Sequence, residues 1–164
     1  VRAIFREHGL QLARLMRIPD DHIATMCGFM AHEAERSLAE LRAGNVGALA
    51  VSLRGEEAFV RDHMLTWVDD FARCARRSKT AVLYPQMIGA LAAFVRNDAV
   101  LLSEAACWAE EARDVCGEMI PGGLGALPGS PEAAAFAEVS DALAALARLR
   151  PFGIEDHELV SISV

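Results

Sequence analysis

Histidine and carboxylate side chains are the usual ligands of a metal held inside a helical protein, and the chain has five histidines. A carboxylate-bridged di-iron bundle needs Glu-x-x-His on two helices, but no histidine here has a Glu three residues before it. The segment beginning His32-Glu33 starts like the zinc-protease helix motif, yet Arg36 stands where the second histidine would have to be. The sequence therefore predicts no metal site of either kind.

The sequence also gives little support for a catalytic nucleophile or a nucleotide-binding loop. The four cysteines form no CxxC pair, and Cys27, five residues after His22, is expected on a different helix face from that histidine. The chain has no GxxxxGK[ST] loop, and the glycines between 122 and 125 follow no predicted strand. We expect a protein that is not an enzyme and holds no cofactor, with its cysteines as buried free thiols.

The acidic turn, Pro19-Asp20-Asp21-His22, is the one polar cluster that suits recognition. Its carboxylates precede a long apolar helix, where they face the positive end of the helix dipole and could bind a cationic ligand. Met26, one turn into that helix, could offer adaptable apolar contact. Helix capping alone also explains the two aspartates, and His22 could equally be a partly buried histidine bonded to the loop.

Five segments have apolar residues at spacings of three and four, which is typical of helices with one buried face. The sequence favours an all-α, single-domain helical bundle, since long Val/Ile/Thr runs are absent and only 160–164 resembles a strand. Gly55 is a possible weak point in the third helix, and residues 10–18 could add a further helical turn or two. The predicted helices span residues 1–8, 23–43, 46–78, 81–116 and 131–146.

The organisation along the chain follows from a Gly/Pro-rich stretch. We predict a helical core over 1–116, a connector over 117–130, and a C-terminal helix and tail over 131–164 that pack on the core or on a partner chain. No coiled-coil heptad is sustained over several turns. A non-catalytic structural or regulatory module that forms a homodimer, by exchange of the helix Phe136 to Leu146 between two copies, is an alternative function.

The net charge and the hydropathy of the chain indicate which kind of partner it binds and where in the cell it is located. The net charge of −7 disfavours nucleic acid and suits a cationic peptide. No apolar run reaches the 18 or more residues needed to span a membrane, and no signal-peptide pattern opens the chain, so a cytoplasmic protein is expected. Because the chain opens with Val1 rather than Met, we expect its natural beginning to be missing.

Three short motifs follow one another over residues 1–95. They are Pro19, Asp21 and His22, then His63, Trp67 and Phe71, then Tyr84. In this order and spacing the chain resembles the TorD/DmsD/NarJ family of redox-enzyme maturation chaperones, with Leu83 in place of a usual Phe.

The resemblance implies a cytoplasmic chaperone that binds the twin-arginine signal peptide, and often the body, of a molybdenum-containing oxidoreductase precursor during cofactor insertion. We expect an arginine pair to meet the aspartates of the acidic turn and the apolar stretch to meet the following helix. The expected peptide-binding residues are Pro19, Asp20, Asp21, His22 and Met26. The expected core residues that mark the family are His63, Trp67, Phe71 and Tyr84.

Overall fold

The structure, a computed structural model, describes residues 1–12 and 18–120 and the backbone of 159–161. These residues are almost entirely helical, which confirms the all-α class. The elements are α1 (Arg2–Glu7), β1 (Leu10–Leu12), α2 (Ile23–Ala43), α3 (Val46–Phe59), a π-helical turn (Val60–Met64), α4 (Val68–Ala75), α5 (Leu83–Cys116) and β2 (Leu159–Ser161). The predicted helix 131–146, its exchange between copies and most of the connector lie outside the described residues.

Two compact units can be distinguished. The described part of the first comprises residues 1–45 without 13–17, together with Ile120 and β2, and the second comprises Val46–Met119. None of the described helices is both long and apolar enough to cross a membrane.

The first unit opens with the short helix α1, which ends before Gly9 as predicted. Gly9 adopts a φ of 69°, a left-handed conformation that glycine accepts without steric cost. The expectation of further helical turns after it is wrong at residues 10–12. They form β1, which pairs antiparallel with β2 so that Leu10 lies opposite Ser161.

Helix α2 provides the apolar side of this unit. It ends at Gly44, whose φ of 74° and N–H bond to the Leu41 carbonyl form a left-handed helix end, as the sequence predicted. Its inner face packs Met26 and Phe29 into the core, and the Phe29 ring lies 5.0 Å from that of Phe5.

The second unit departs from the single helix predicted over 46–78. Helix α3 runs without a break past Gly55, but the chain widens into a π-helical turn at Val60, where the Leu65 N–H bonds the Val60 carbonyl five residues back. Trp67 then has a φ of −142°, outside the helical range, so α4 begins afresh at Val68.

Helix α5 is the longest element and packs against both α3 and α4. Pro85 is its third residue, where a missing N–H leaves no intrahelical bond unmade, as expected. Arg54 of α3 binds Glu110 of α5 at 2.6 Å and Glu57 at 2.7 Å, and its guanidinium holds the pKa of the Glu110 carboxyl below its ordinary value. The buried face of α5 consists of Pro85, Ile88, Ala92, Val95, Leu102, Ala106 and Ala109.

Candidate functional site

The acidic turn is a surface feature at the start of α2. The His22 N–H bonds the Pro19 carbonyl at 3.0 Å, and the His22 Nδ1 accepts the Ala24 N–H at 3.2 Å. His22 is therefore the residue that caps α2, and the expectation that an aspartate does so is wrong. Because the cap is supplied by His22, helix capping no longer accounts for both carboxylates of the turn.

Asp20 already binds an arginine. Its Oδ2 accepts from the Arg2 Nε at 2.6 Å, and its side chain is 19% exposed. Asp21, by contrast, is exposed, and no described residue forms a hydrogen bond or ion pair with it. The turn thus presents one carboxylate occupied by a guanidinium beside one that is open to solvent.

A shallow depression adjoins Asp20. Its apolar lining comes from Phe5, Leu10 and Leu12, which are almost fully buried, so little of their surface is offered to a ligand. Its polar lining comes from both arginines of α1, Arg2 and Arg6, and from Gln11 and Asp20. The arrangement can bind an ionic group at its edge but has no deep apolar pocket.

Met26 does not contribute surface to this site, contrary to expectation. Its side chain is 0% exposed, because it lies on the face of α2 that also carries the buried Thr25 and Phe29, and the Phe29 ring contacts that of Phe5 in α1. The partly exposed apolar residues beside the turn are Ile18 and Ile23.

A buried charge cluster near the end of α1 escaped sequence analysis. Glu33 is 1% exposed, and its carboxylate lies 2.8 Å from the His8 Nδ1 and 3.2 Å from the Arg36 guanidinium. Neither contact is aligned as a hydrogen bond, so the contact with Arg36 is an ion pair by proximity and the His8 ring lies beside the same carboxylate. The Arg36 partner, three residues on, was visible in the sequence, whereas the approach of His8 depends on the fold. The cluster ties the end of α1 to α2.

Comparison with known proteins bears on this part of the chain. Residues 1–73 match the family described as nitrate reductase delta subunit. The chain is 26% identical over 104 residues to the chaperone protein TorD of Vibrio cholerae, which covers 63% of this chain and 46% of the relative. It is 28% identical over 102 residues to TorD of Photobacterium profundum, covering 62% and 46%.

These matches confirm the resemblance to the TorD/NarJ family, and the family match covers residues 1–73 of the 164. The chain spans less than half the length of the TorD relatives that it matches. No solved structure matches it.

Three of the four residues that mark the TorD/NarJ pattern lie together on the π-helical turn and α4. The Trp67 Nε1 donates to the His63 carbonyl at 2.5 Å, and the Trp67 ring meets the Phe71 ring edge-on at 5.7 Å. All three side chains are half-buried. Tyr84 was expected in the core but is 55% exposed, because Pro85 and Ile88 occupy the buried face of α5 at this point.

The four cysteines are all free, but the prediction that they are buried is wrong for three of them. Cys74, Cys107 and Cys116 are exposed and Cys27 is half-buried. Cys107 Sγ accepts a hydrogen bond from Arg54 at 3.3 Å. Within residues 1–12 and 18–120, no three His, Cys, Asp or Glu side chains are grouped closely enough to hold a metal ion.

Proposed function

We propose that this chain is a cytoplasmic chaperone for the maturation of a molybdenum-containing redox enzyme, and that its acidic turn binds the arginine pair of the enzyme's twin-arginine signal peptide. The observation that carries the proposal is the Arg2–Asp20 ion pair at 2.6 Å beside the open carboxylate of Asp21. A site that already binds one guanidinium on the surface has the chemistry needed for another.

The physical basis is charge-assisted hydrogen bonding. A guanidinium presents five N–H donors in a rigid fork that matches a carboxylate, which a lysine ammonium does not. Two adjacent aspartates can therefore receive two adjacent arginines, and the chain's net charge of −7 favours approach of such a peptide. Ile18 and Ile23 offer partly exposed apolar surface for the residues that follow the arginines.

Similarity to the TorD/NarJ family supports the general class of this proposal. The matched relatives are named chaperone proteins, and the acidic turn falls within the residues 1–73 that match the family. The client's identity and the peptide-binding role of the turn are the parts that need an experiment.

The experiment is a calorimetric titration of the full chain with a synthetic twin-arginine signal peptide. We expect measurable binding that weakens about 5- to 10-fold in Asp21→Asn, since one charge-assisted pair contributes on the order of 1 kcal/mol at the surface. Glu35→Gln is the matched control, because it removes the same charge from an exposed position on α2, the helix that follows the turn.

Three outcomes of this titration can be distinguished. Binding that weakens in Asp21→Asn and is unchanged in Glu35→Gln supports the assigned site. Binding that is equal in the native chain, Asp20→Asn and Asp21→Asn shows that the peptide binds elsewhere, and no binding at all overturns the proposed function.

A further inference from the structure

The turn that joins α4 to α5 is rich in cations. Arg76, Arg77 and Lys79 are exposed, and none of them forms an ion pair with a residue that the structure describes. The two aspartates of α4 do not neutralise them, because those carboxylates are already paired with Arg73 and Arg96. We call the three unpaired cations the basic turn.

The positive charge extends along the chain around this turn, although the protein as a whole is acidic. Residues 71–97 contain five Lys or Arg and no Asp or Glu, whereas the whole chain has a net charge of −7. Asp98, the first acidic residue of α5, lies about 22 Å along the helix from Leu83, which is more than two Debye lengths at physiological salt. The acidic residues of α5 therefore do little to cancel the positive charge at its start.

Exposed apolar side chains follow the basic turn directly. Four of them are between 55% and 85% exposed, namely Val82, Leu83, Tyr84 and Met87. Pro85 and Ile88 lie on the buried face of α5 at this point, so these four side chains project away from the core of the unit. We call the basic turn and these four residues the α5 tip.

Hydrogen bonds keep the basic turn close to the start of α5. The Ser78 N–H bonds the Ala75 carbonyl at 3.1 Å, and the Ser78 Oγ accepts the Ala81 N–H at 3.2 Å. Lys79 and Val82 are then separated by no more than about 10 Å of chain. The cations and the apolar side chains therefore form one continuous surface.

A surface of this composition suits an anionic lipid bilayer. Anionic headgroups attract Lys and Arg, and each basic residue near such a surface strengthens binding about 5-fold. The interfacial layer accepts apolar side chains without a preformed groove, and tyrosine is typical of that layer. Nucleic acids and acidic peptides also attract cations, but neither offers a fluid apolar phase for Val82 and Leu83.

We propose that the α5 tip binds the surface of a membrane that contains anionic lipids, with its cations at the headgroups and its apolar side chains in the interfacial layer. Binding of this kind is peripheral and reversible, because a few cations and apolar side chains contribute far less than a membrane-spanning helix. The proposal uses residues of the second unit alone and does not rest on the function assigned to the acidic turn.

Flotation of the full chain with lipid vesicles tests the proposal. We expect binding to vesicles that contain about one-third phosphatidylglycerol in phosphatidylcholine, and at least about 10-fold weaker binding to phosphatidylcholine alone, because only the first carries charge. Binding to the anionic vesicles should also weaken when the salt is raised from about 0.1 M to about 0.5 M.

A double substitution tests the cations. Arg76→Gln combined with Arg77→Gln should weaken binding to the anionic vesicles about 10- to 25-fold. Arg6→Gln combined with Arg42→Gln is the matched control, because it removes the same net charge from two exposed positions of the first unit. An equal loss in the control pair would show that the net charge of the protein matters and the α5 tip does not.

A second substitution tests the apolar side chains. Leu83→Ser should weaken binding about 5-fold or more, because it removes apolar surface from the interfacial layer. Val51→Ser, at a position of α3 that is 68% exposed, is the control and should bind like the native chain. Circular dichroism checks that all variants keep their helices.

The outcomes that overturn the proposal are distinct. They are failure to float with the anionic vesicles, equal binding to both kinds of vesicle, and equal effects of the tip substitutions and their controls. Binding that Leu83→Ser leaves unchanged, together with equally tight binding of soluble poly-glutamate, would show that the α5 tip binds an acidic chain and not a lipid surface.

Discussion

Asp20 and Asp21 are neighbours in sequence, but only one of them holds a cation in the described structure. The Asp20 carboxylate is bound by Arg2, and the Asp21 carboxylate faces solvent. In the proposed site, a client arginine must therefore compete with Arg2 for Asp20 while Asp21 is immediately available. Arg2 is an internal competitor that limits the affinity for the client.

Removal of that competitor gives the first prediction. Arg2→Gln should tighten binding of a twin-arginine peptide by up to about 5-fold, because the exposed ion pair that the peptide must displace contributes at most about 1 kcal/mol. The measurement is a calorimetric titration of both proteins with one peptide. Arg42→Gln, at the exposed far end of α2, is the control for net charge. Weaker binding in Arg2→Gln would show that Arg2 helps to form the site.

Glu33 is predicted to matter for stability. Glu33→Gln leaves His8 and Arg36 without the buried carboxylate that they face, at an expected cost of about 1–3 kcal/mol in the free energy of unfolding. Urea denaturation measures it, with Glu35→Gln, an exposed position, expected within about 0.5 kcal/mol of the native chain. Equal effects of the two substitutions would show that the buried cluster contributes nothing.

The residues of the acidic turn could be predicted from sequence because they follow one another in the chain. Glu33 could not, since its partner His8 is 25 residues away and is brought near only by the packing of α1 on α2. Met26 was assigned to the surface because a spacing of three and four identifies the apolar face of a helix without showing whether a ligand or the core covers it.

At the scale of elements, the break between α3 and α4 could not be predicted from the spacing of apolar residues or from the composition. No Gly or Pro lies between residues 60 and 67, so composition gives no breaking signal there, while Gly55, the suspected weak point, sits inside a continuous helix. The π-helical turn is held by the Leu65 N–H bond to Val60 and the Trp67 indole bond to the His63 carbonyl.

Trp67 is therefore expected to be structural. Trp67→Phe keeps the ring contact with Phe71 but removes the indole donor, which should lower the free energy of unfolding by about 1 kcal/mol. Chemical denaturation measures this cost. The affinity for the signal peptide should stay unchanged, and a loss of binding without a loss of stability would place Trp67 in the site instead.

Asp98 on α5 gives a prediction about pH. Burial raises the pKa of its carboxyl, so the folded state disfavours the charged form and loses stability as the pH rises through that pKa. Asp98→Asn should raise the urea midpoint at pH 7, and the gain should vanish near pH 3, below the ordinary value of about 4 for aspartate. A lower midpoint at pH 7 would show that the charged carboxylate is stabilising.

The buried face of α5 was only partly predictable. Tyr84 was expected in the core because of its aromatic size, but it faces outward, and the small Ala92, Ala106 and Ala109 lie on the buried face instead. Close approach of α3 favours small residues at these contacts.

At the scale of the molecule, the acidic turn belongs to the first of the two units and lies within residues 1–73, which match the nitrate reductase delta subunit family. All residues of the proposed peptide site come from this one unit of one chain. The stoichiometry of peptide binding should therefore be one peptide per chain. Calorimetry measures this, and half occupancy would contradict a complete site in each chain.

The central claim is that the Asp21 carboxylate meets an arginine of the client, and a double-mutant cycle tests it most directly. Four affinities are measured: the native chain and Asp21→Asn, each with a twin-arginine peptide and with the same peptide carrying Gln in place of one arginine. We predict that the effect of Asp21→Asn and the effect of replacing an arginine of the peptide by Gln are coupled by about 1 kcal/mol for one of the two arginines. Effects that add to within about 0.3 kcal/mol for both arginines would contradict it.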